Sequence, residues 1–87
     1  MSFEHLGRHY AIYMQSDVHR DGMALELMDE TNHPHTLVLE VFYSDADGTL
    51  TLTAHREAVP LELVEMAASQ ARIRLPPADN RFGLSTG

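Results

Sequence analysis

The sequence predicts an α+β fold: a four-stranded antiparallel β-meander followed by one C-terminal α-helix packed on one face (ββββα). Three observations carry that prediction. Four segments alternate apolar and polar residues with the period of two that marks a strand. The connections between them are short enough for antiparallel neighbours. A last segment opens at Pro60, repeats apolar residues at three-to-four spacing and stops before Pro76 and Pro77.

The first strand, residues 8–15, places Tyr10, Ile12 and Met14 on one face. Residues 22–30 group Met23, Leu25 and Leu27 against Ala24, Glu26 and Met28. Residues 36–44 set Leu37, Leu39, Val41 and Tyr43 against Val38, Glu40 and Phe42. Residues 49–56 set Leu50, Leu52 and Ala54 against Thr49, Thr51, Thr53 and His55. In the helix, Leu61, Val64, Ala67 or Ala68, Ala71 and Leu75 form the apolar stripe. Glu62 and Glu65 suit its N-terminal dipole, and Arg72 and Arg74 its C-terminal end. The expected domain is 1–77, and 78–87 is a polar, Gly-containing tail.

Loop lengths set the register. Gln15 is expected to face Gly22, Glu30 to face Thr36 and Ser44 to face Thr49, which brings every apolar face to one side. Arg8 then meets Asp29 in a salt bridge at the sheet edge, and Tyr10 and Tyr43 pack on the inner face. Four strands at about 4.8 Å span close to 19 Å, and one helix covers about 10–12 Å. The uncovered remainder predicts a homodimer, or closure by the tail or the N-terminal segment.

Charge narrows the function. Thirteen acids against six bases give −7, and every base is Arg. Between Asp17 and Glu65 eleven acids stand against only Arg20 and Arg56. Nucleic acid and anionic membrane surfaces are excluded as partners by this field. The element order resembles, coarsely, the ββββα units of single-stranded nucleic-acid binders, but their basic, aromatic faces are missing. Without Lys there is no Schiff-base chemistry. Without Cys there is no disulfide or thiolate site, which fits a cytoplasmic location.

Few motifs remain for chemistry. The turn Ser44–Gly48 lacks the spacing of a calcium loop and reads as a hairpin turn with Gly48 in the left-handed region. His5 and His9 have no Glu after the first His, and His33 and His35 bracket Pro34 in a turn. No cofactor is called for.

The informative pair is Glu26 and Glu40, opposed on adjacent strands, where like charges normally destabilise. Tyr13, Met28, Val38 and Phe42 surround them on the outer face. An aromatic and aliphatic rim around two carboxylates suits a basic residue of a partner. The expected function is therefore a non-catalytic protein-interaction module, most concretely a small acidic inhibitor or immunity-type protein masking a basic partner. The alternative is a small-molecule or metal site formed between two subunits, using His9, His55, Glu26 or Glu40. On this reading Glu40→Gln relieves a clash and leaves the fold unharmed.

Overall fold

The computed structural model describes residues 1–75. The expected tail, 78–87, and the helix stop at Pro76 and Pro77 lie outside the described residues. The chain forms β1 (Ser2–His5), β2 (Arg8–Asp17), β3 (Gly22–Asp29), β4 (Thr36–Ser44), β5 (Leu50–Ala54) and α1 (Leu61–Arg74). All strands pair antiparallel in the order β1-β2-β3-β4-β5, and α1 packs against β3 and β4. The α+β class and the meander with its C-terminal helix stand. The sheet, however, has five strands where four were expected.

The added strand is β1. Leu6 (φ 50°) and Gly7 (φ 79°) turn the chain so that His5 faces Arg8. Positive φ at both central positions matches the twist of a two-residue hairpin. Leu is a poor residue for that conformation, so the turn carries only half of its usual signature. The strand brings Phe3 to the core, stacked on Tyr10 with ring centroids 5.5 Å apart.

Three of the expected ladder features hold. Glu26 faces Glu40, Val41 faces Leu52 and Tyr43 faces Leu50. The β2–β3 register differs by two residues: Asp17, not Gln15, faces Gly22, and Gln15 faces Ala24. Asp17 Oδ1 accepts from the N–H groups of His19 and Arg20, which tightens the connection to residues 18–21. A two-residue slip leaves every side chain on its expected face, because the strand period is two.

A bulge changes one face. Leu27 faces Leu39 but Met28 faces Leu37, leaving Val38 as the extra residue of β4. Such a residue loses strict alternation with its neighbours. Val38, expected on the outer face, is 0% exposed and joins the core. That core also holds Tyr10, Ile12, Leu25, Leu27, Leu39, Val41 and Tyr43.

The helix lies about its axis differently from the expected stripe. Leu63, Ala67 and Ala71 are buried at spacings of four, and Leu75 continues the row. Leu61, two residues before Leu63 and so about 200° round the helix, is exposed. Pro60 precedes the first turn, and the Leu75 N–H closes the last by donating to the Ala71 carbonyl at 2.8 Å. Among the described residues no helix is long and apolar enough to cross a membrane.

Val38→Thr tests the bulge, since it swaps a methyl for a hydroxyl at a dry position. The expected cost is about 1–3 kcal/mol in urea unfolding. A change within about 0.5 kcal/mol would put Val38 back on the solvated face.

Candidate functional site

The sequence-predicted residues divide into three groups. Tyr13, Glu26 and Met28 stay together on the outer face, where Tyr13 faces Glu26 and Ala11 faces Met28. Glu40 and Phe42 are drawn into a separate cluster, and Val38 leaves the face altogether.

The separate cluster is built by Arg20, from the β2–β3 connection. Its Nη1 and Nη2 donate to Glu40 Oε1 and Oε2 at 2.9 and 2.7 Å, and its Nε donates to Asp17 Oδ2 at 2.6 Å. The guanidinium carbon lies 4.1 Å from the centroid of the Phe42 ring. Fork geometry and a π-face are what a planar guanidinium engages better than any ammonium. The bonds to Glu40 and then to Asp17 raise the Arg20 pKa, and the Arg20 side chain in turn lowers that of Asp17.

Phe42 lies over the bare backbone of Gly22. A Cβ at Gly22 would stand 2.0 Å from the Tyr43 carbonyl oxygen and 2.6 Å from the Phe42 ring. Only glycine permits this approach. Glu40 is 8% exposed, and its cation is Arg20 of the same chain. Glu26 is held by a neutral group instead, accepting from Gln15 Nε2 at 3.0 Å.

Two further arginines, Arg8 and Arg56, pair with a buried acid elsewhere on the sheet. Asp29, 2% exposed, accepts from Arg8 Nε at 2.8 Å, as expected, and from Arg56 Nη2 at 3.0 Å. Burial alone would push this carboxyl up. The Thr31 hydroxyl and N–H, with the two guanidinium groups, outweigh it and hold Asp29 well below the usual carboxylate range.

What remains open on the outer face is a shallow hollow of about 260 Å³ lined by Tyr13, Gln15, Glu26, Met28, Glu30 and His35. The Tyr13 phenol donates to Glu30 Oε2, and that bond, then burial, raises the phenol pKa. His35 Nδ1 lies 3.4 Å from the same carboxylate oxygen. A second hollow shares Glu30 and His35 and is lined by Ser2, Phe3, Glu4, His9 and Tyr10. There His9 Nε2 stands 3.1 Å from Glu4 Oε2.

Gln15, Arg20, Glu30 and His35 were absent from the sequence-derived set. The sign of Arg20 was present nonetheless. Arg20 and Arg56 are the two bases inside the acidic stretch, and each meets a buried acid.

The histidines do not assemble a metal centre in one chain. The rings of His33 and His35 stand 4.6 Å apart, yet no group of three or more His, Asp or Glu side chains converges among the described residues. The turn at Ser44–Gly48 is closed by its own groups: Asp47 Oδ1 accepts from the Thr49 N–H and hydroxyl, and Gly48 has φ 71° as expected. No protein-family model, curated protein or solved structure matches this chain.

Two outcomes follow from the ion pairs. Arg20→Gln strands Glu40 beside Glu26, so it should lower the Tm, and adding Glu40→Gln should restore part of the loss. Glu40→Gln alone should also lower the Tm, contrary to the expectation from opposed charges alone. An unchanged Tm in Arg20→Gln would remove the clamp from the account.

For Asp29, whose folded pKa lies below the unfolded value of about 3.9, the stability gained is full above the unfolded pKa and is lost as pH falls from there through the folded pKa. Asp29→Asn should therefore cost about 1.5–3 kcal/mol near pH 7. The gap from wild type should narrow progressively from about pH 5 downward. A constant gap from pH 7 to pH 3 would show that geometry, not charge, makes the difference.

Proposed function

We propose that the protein is a non-catalytic interaction module that binds a basic segment of another protein through the outer face of its sheet. A small acidic inhibitor or immunity-type protein, masking a basic partner, is the most concrete form of this reading. Self-association of the module belongs to the same reading, because one helix leaves part of the inner face open.

The observation that carries the proposal is the division of charge on the outer face. Arginines of the described residues engage Asp17, Asp29 and Glu40. The two carboxylates that line the outer hollow are held instead by a phenol, an amide and an imidazole. A guanidinium or ammonium entering the hollow finds Glu26 and Glu30 at its walls, with Tyr13, 44% exposed, and Met28 beside it. Buried Glu40 is no longer part of the contact, and Glu30 takes its place. The net charge of −7 steers a basic partner toward the whole molecule and raises the rate of encounter.

The test is an NMR titration of the full chain with arginine- and lysine-containing peptides at low salt. Saturable shifts should concentrate at Tyr13, Gln15, Glu26, Met28, Glu30 and His35. The double variant Glu26→Gln, Glu30→Gln should weaken binding at least about tenfold, equivalent to about 1.4 kcal/mol, with its Tm retained. Weak shifts spread over all acidic residues, unaffected by the double variant, would leave only a general field and overturn the site.

A further inference from the structure

We infer that β5 is a homodimerisation edge, where two copies of the chain pair their β5 strands antiparallel about a two-fold axis at Leu52. This rests on the reading that the chain self-associates and specifies the surface.

The ladder shows which groups are free. The Ser44 N–H donates to the Thr49 carbonyl at 3.0 Å, and the His55 N–H to the Val38 carbonyl at 2.8 Å. Backbone groups alternate sides along a strand, so residues 49, 51, 53 and 55 turn theirs toward β4. Leu50, Leu52 and Ala54 turn theirs outward, where no strand of the described residues pairs with them. The side chains of these same residues point to the helix face. There Leu50 and Leu52, with Val41, Thr51, Ala68, Ala71 and Arg72, line a groove of about 180 Å³. Leu52 is 39% exposed.

Native edges are blunted by charge, Pro or a bulge. The edge at β5 has none of these. From Gly48 to Ala54 no residue is ionisable, although the chain as a whole carries −7. The opposite edge, β1, carries Glu4 and His5. Two copies of so acidic a chain repel over most approaches, and β5 is where they meet without opposing carboxylates.

The sequence of the edge selects a second copy over any other strand. Leu50-Thr51-Leu52-Thr53-Ala54 reads nearly the same in both directions, as an isologous contact requires. Centring the axis on Leu52 sets it opposite the partner's Leu52, Leu50 opposite the partner's Ala54, and Thr51 opposite the partner's Thr53. The first two pairs use the outward backbone groups and close the apolar side. The Thr–Thr pairs fall on the outer face, where they are favourable cross-strand neighbours.

The experiment joins sedimentation velocity with amide exchange on the full chain from about 1 to about 100 µM. A dimer of twice 9.8 kDa is expected, and the amides of Leu50, Leu52 and Ala54 should become protected as concentration rises. Leu52→Glu places two carboxylates on the axis and should raise the dimer Kd at least tenfold while the monomer stays folded. Leu52→Pro removes an outward N–H that pairs with no strand of the described residues, and should do the same.

A dimer in which those three amides exchange equally fast at every concentration would keep self-association and overturn the β5 edge. Concentration-independent protection in a monomer would mean that residues of the same chain cover the edge, and would overturn both. Glu26→Gln with Glu30→Gln should leave the dimer unchanged, so failure at the outer hollow reads separately.

Discussion

Coverage governs this fold. Five strands spaced about 4.8 Å apart span roughly 24 Å, whereas one helix covers about 10–12 Å. The helix spends its width on β3 and β4, where Leu25, Leu27 and Leu39 are fully buried under Leu63, Ala67 and Ala71. Small residues at 67 and 71 let the helix approach closely, which deepens burial at the centre and does nothing for the flanks. On one flank β1 solves the problem by bringing Phe3 onto Tyr10. On the other flank nothing among the described residues does, and Leu50 and Leu52 border an open groove.

The second constraint is an acidic chain with few bases. A carboxylate removed from water needs a paired cation or several donors, or it destabilises the fold. The chain places arginine where burial demands it: Arg20 at Glu40, Arg8 and Arg56 at Asp29. Arg20 adds a π contact with Phe42, whose ring in turn needs the bare Gly22 beneath it. Glu26 and Glu30, two acids held without arginine, border the outer hollow. The distribution of arginine thus separates acids that hold the fold from acids open to a ligand.

Much of this was legible in residue patterns. Alternation located β2 to β5, and short turns set β3, β4 and β5 in register as far as Leu27 and Leu39. The limits have physical causes. A left-handed Leu6 disguised the β1–β2 turn. Asp17 capped the next turn and lengthened β2 by two residues, an error invisible to facing because parity is conserved. The bulge at Val38 breaks alternation locally, and no hydrophobicity pattern distinguishes an inward Val from an outward one. For the site, opposition of Glu26 and Glu40 was readable, but the pairing of Glu40 with Arg20 was not. A side chain reaching twenty residues along the chain, from Arg20 to Glu40, leaves no local pattern.

Charge and edge chemistry also explain each other. An uncharged edge strand with alternating Leu and Thr, open along one side, is an aggregation hazard in a neutral protein. Here each copy carries −7, with acids on the outer face, in the turns and at the helix start. That field opposes random stacking of many copies, and its cost grows with each copy added. The proposed pairing of two copies along β5 would incur little of it in the paired stretch, since no ionisable residue lies between Asp47 and His55. It also consumes the edge, because two β5 strands joined to each other leave only the two β1 strands outermost, each bearing Glu4. In the proposed dimer a closed two-fold contact would end growth at two copies, and the acidic hollow lined by Tyr13, Glu26 and Glu30 would lie on the outer face, clear of the axis.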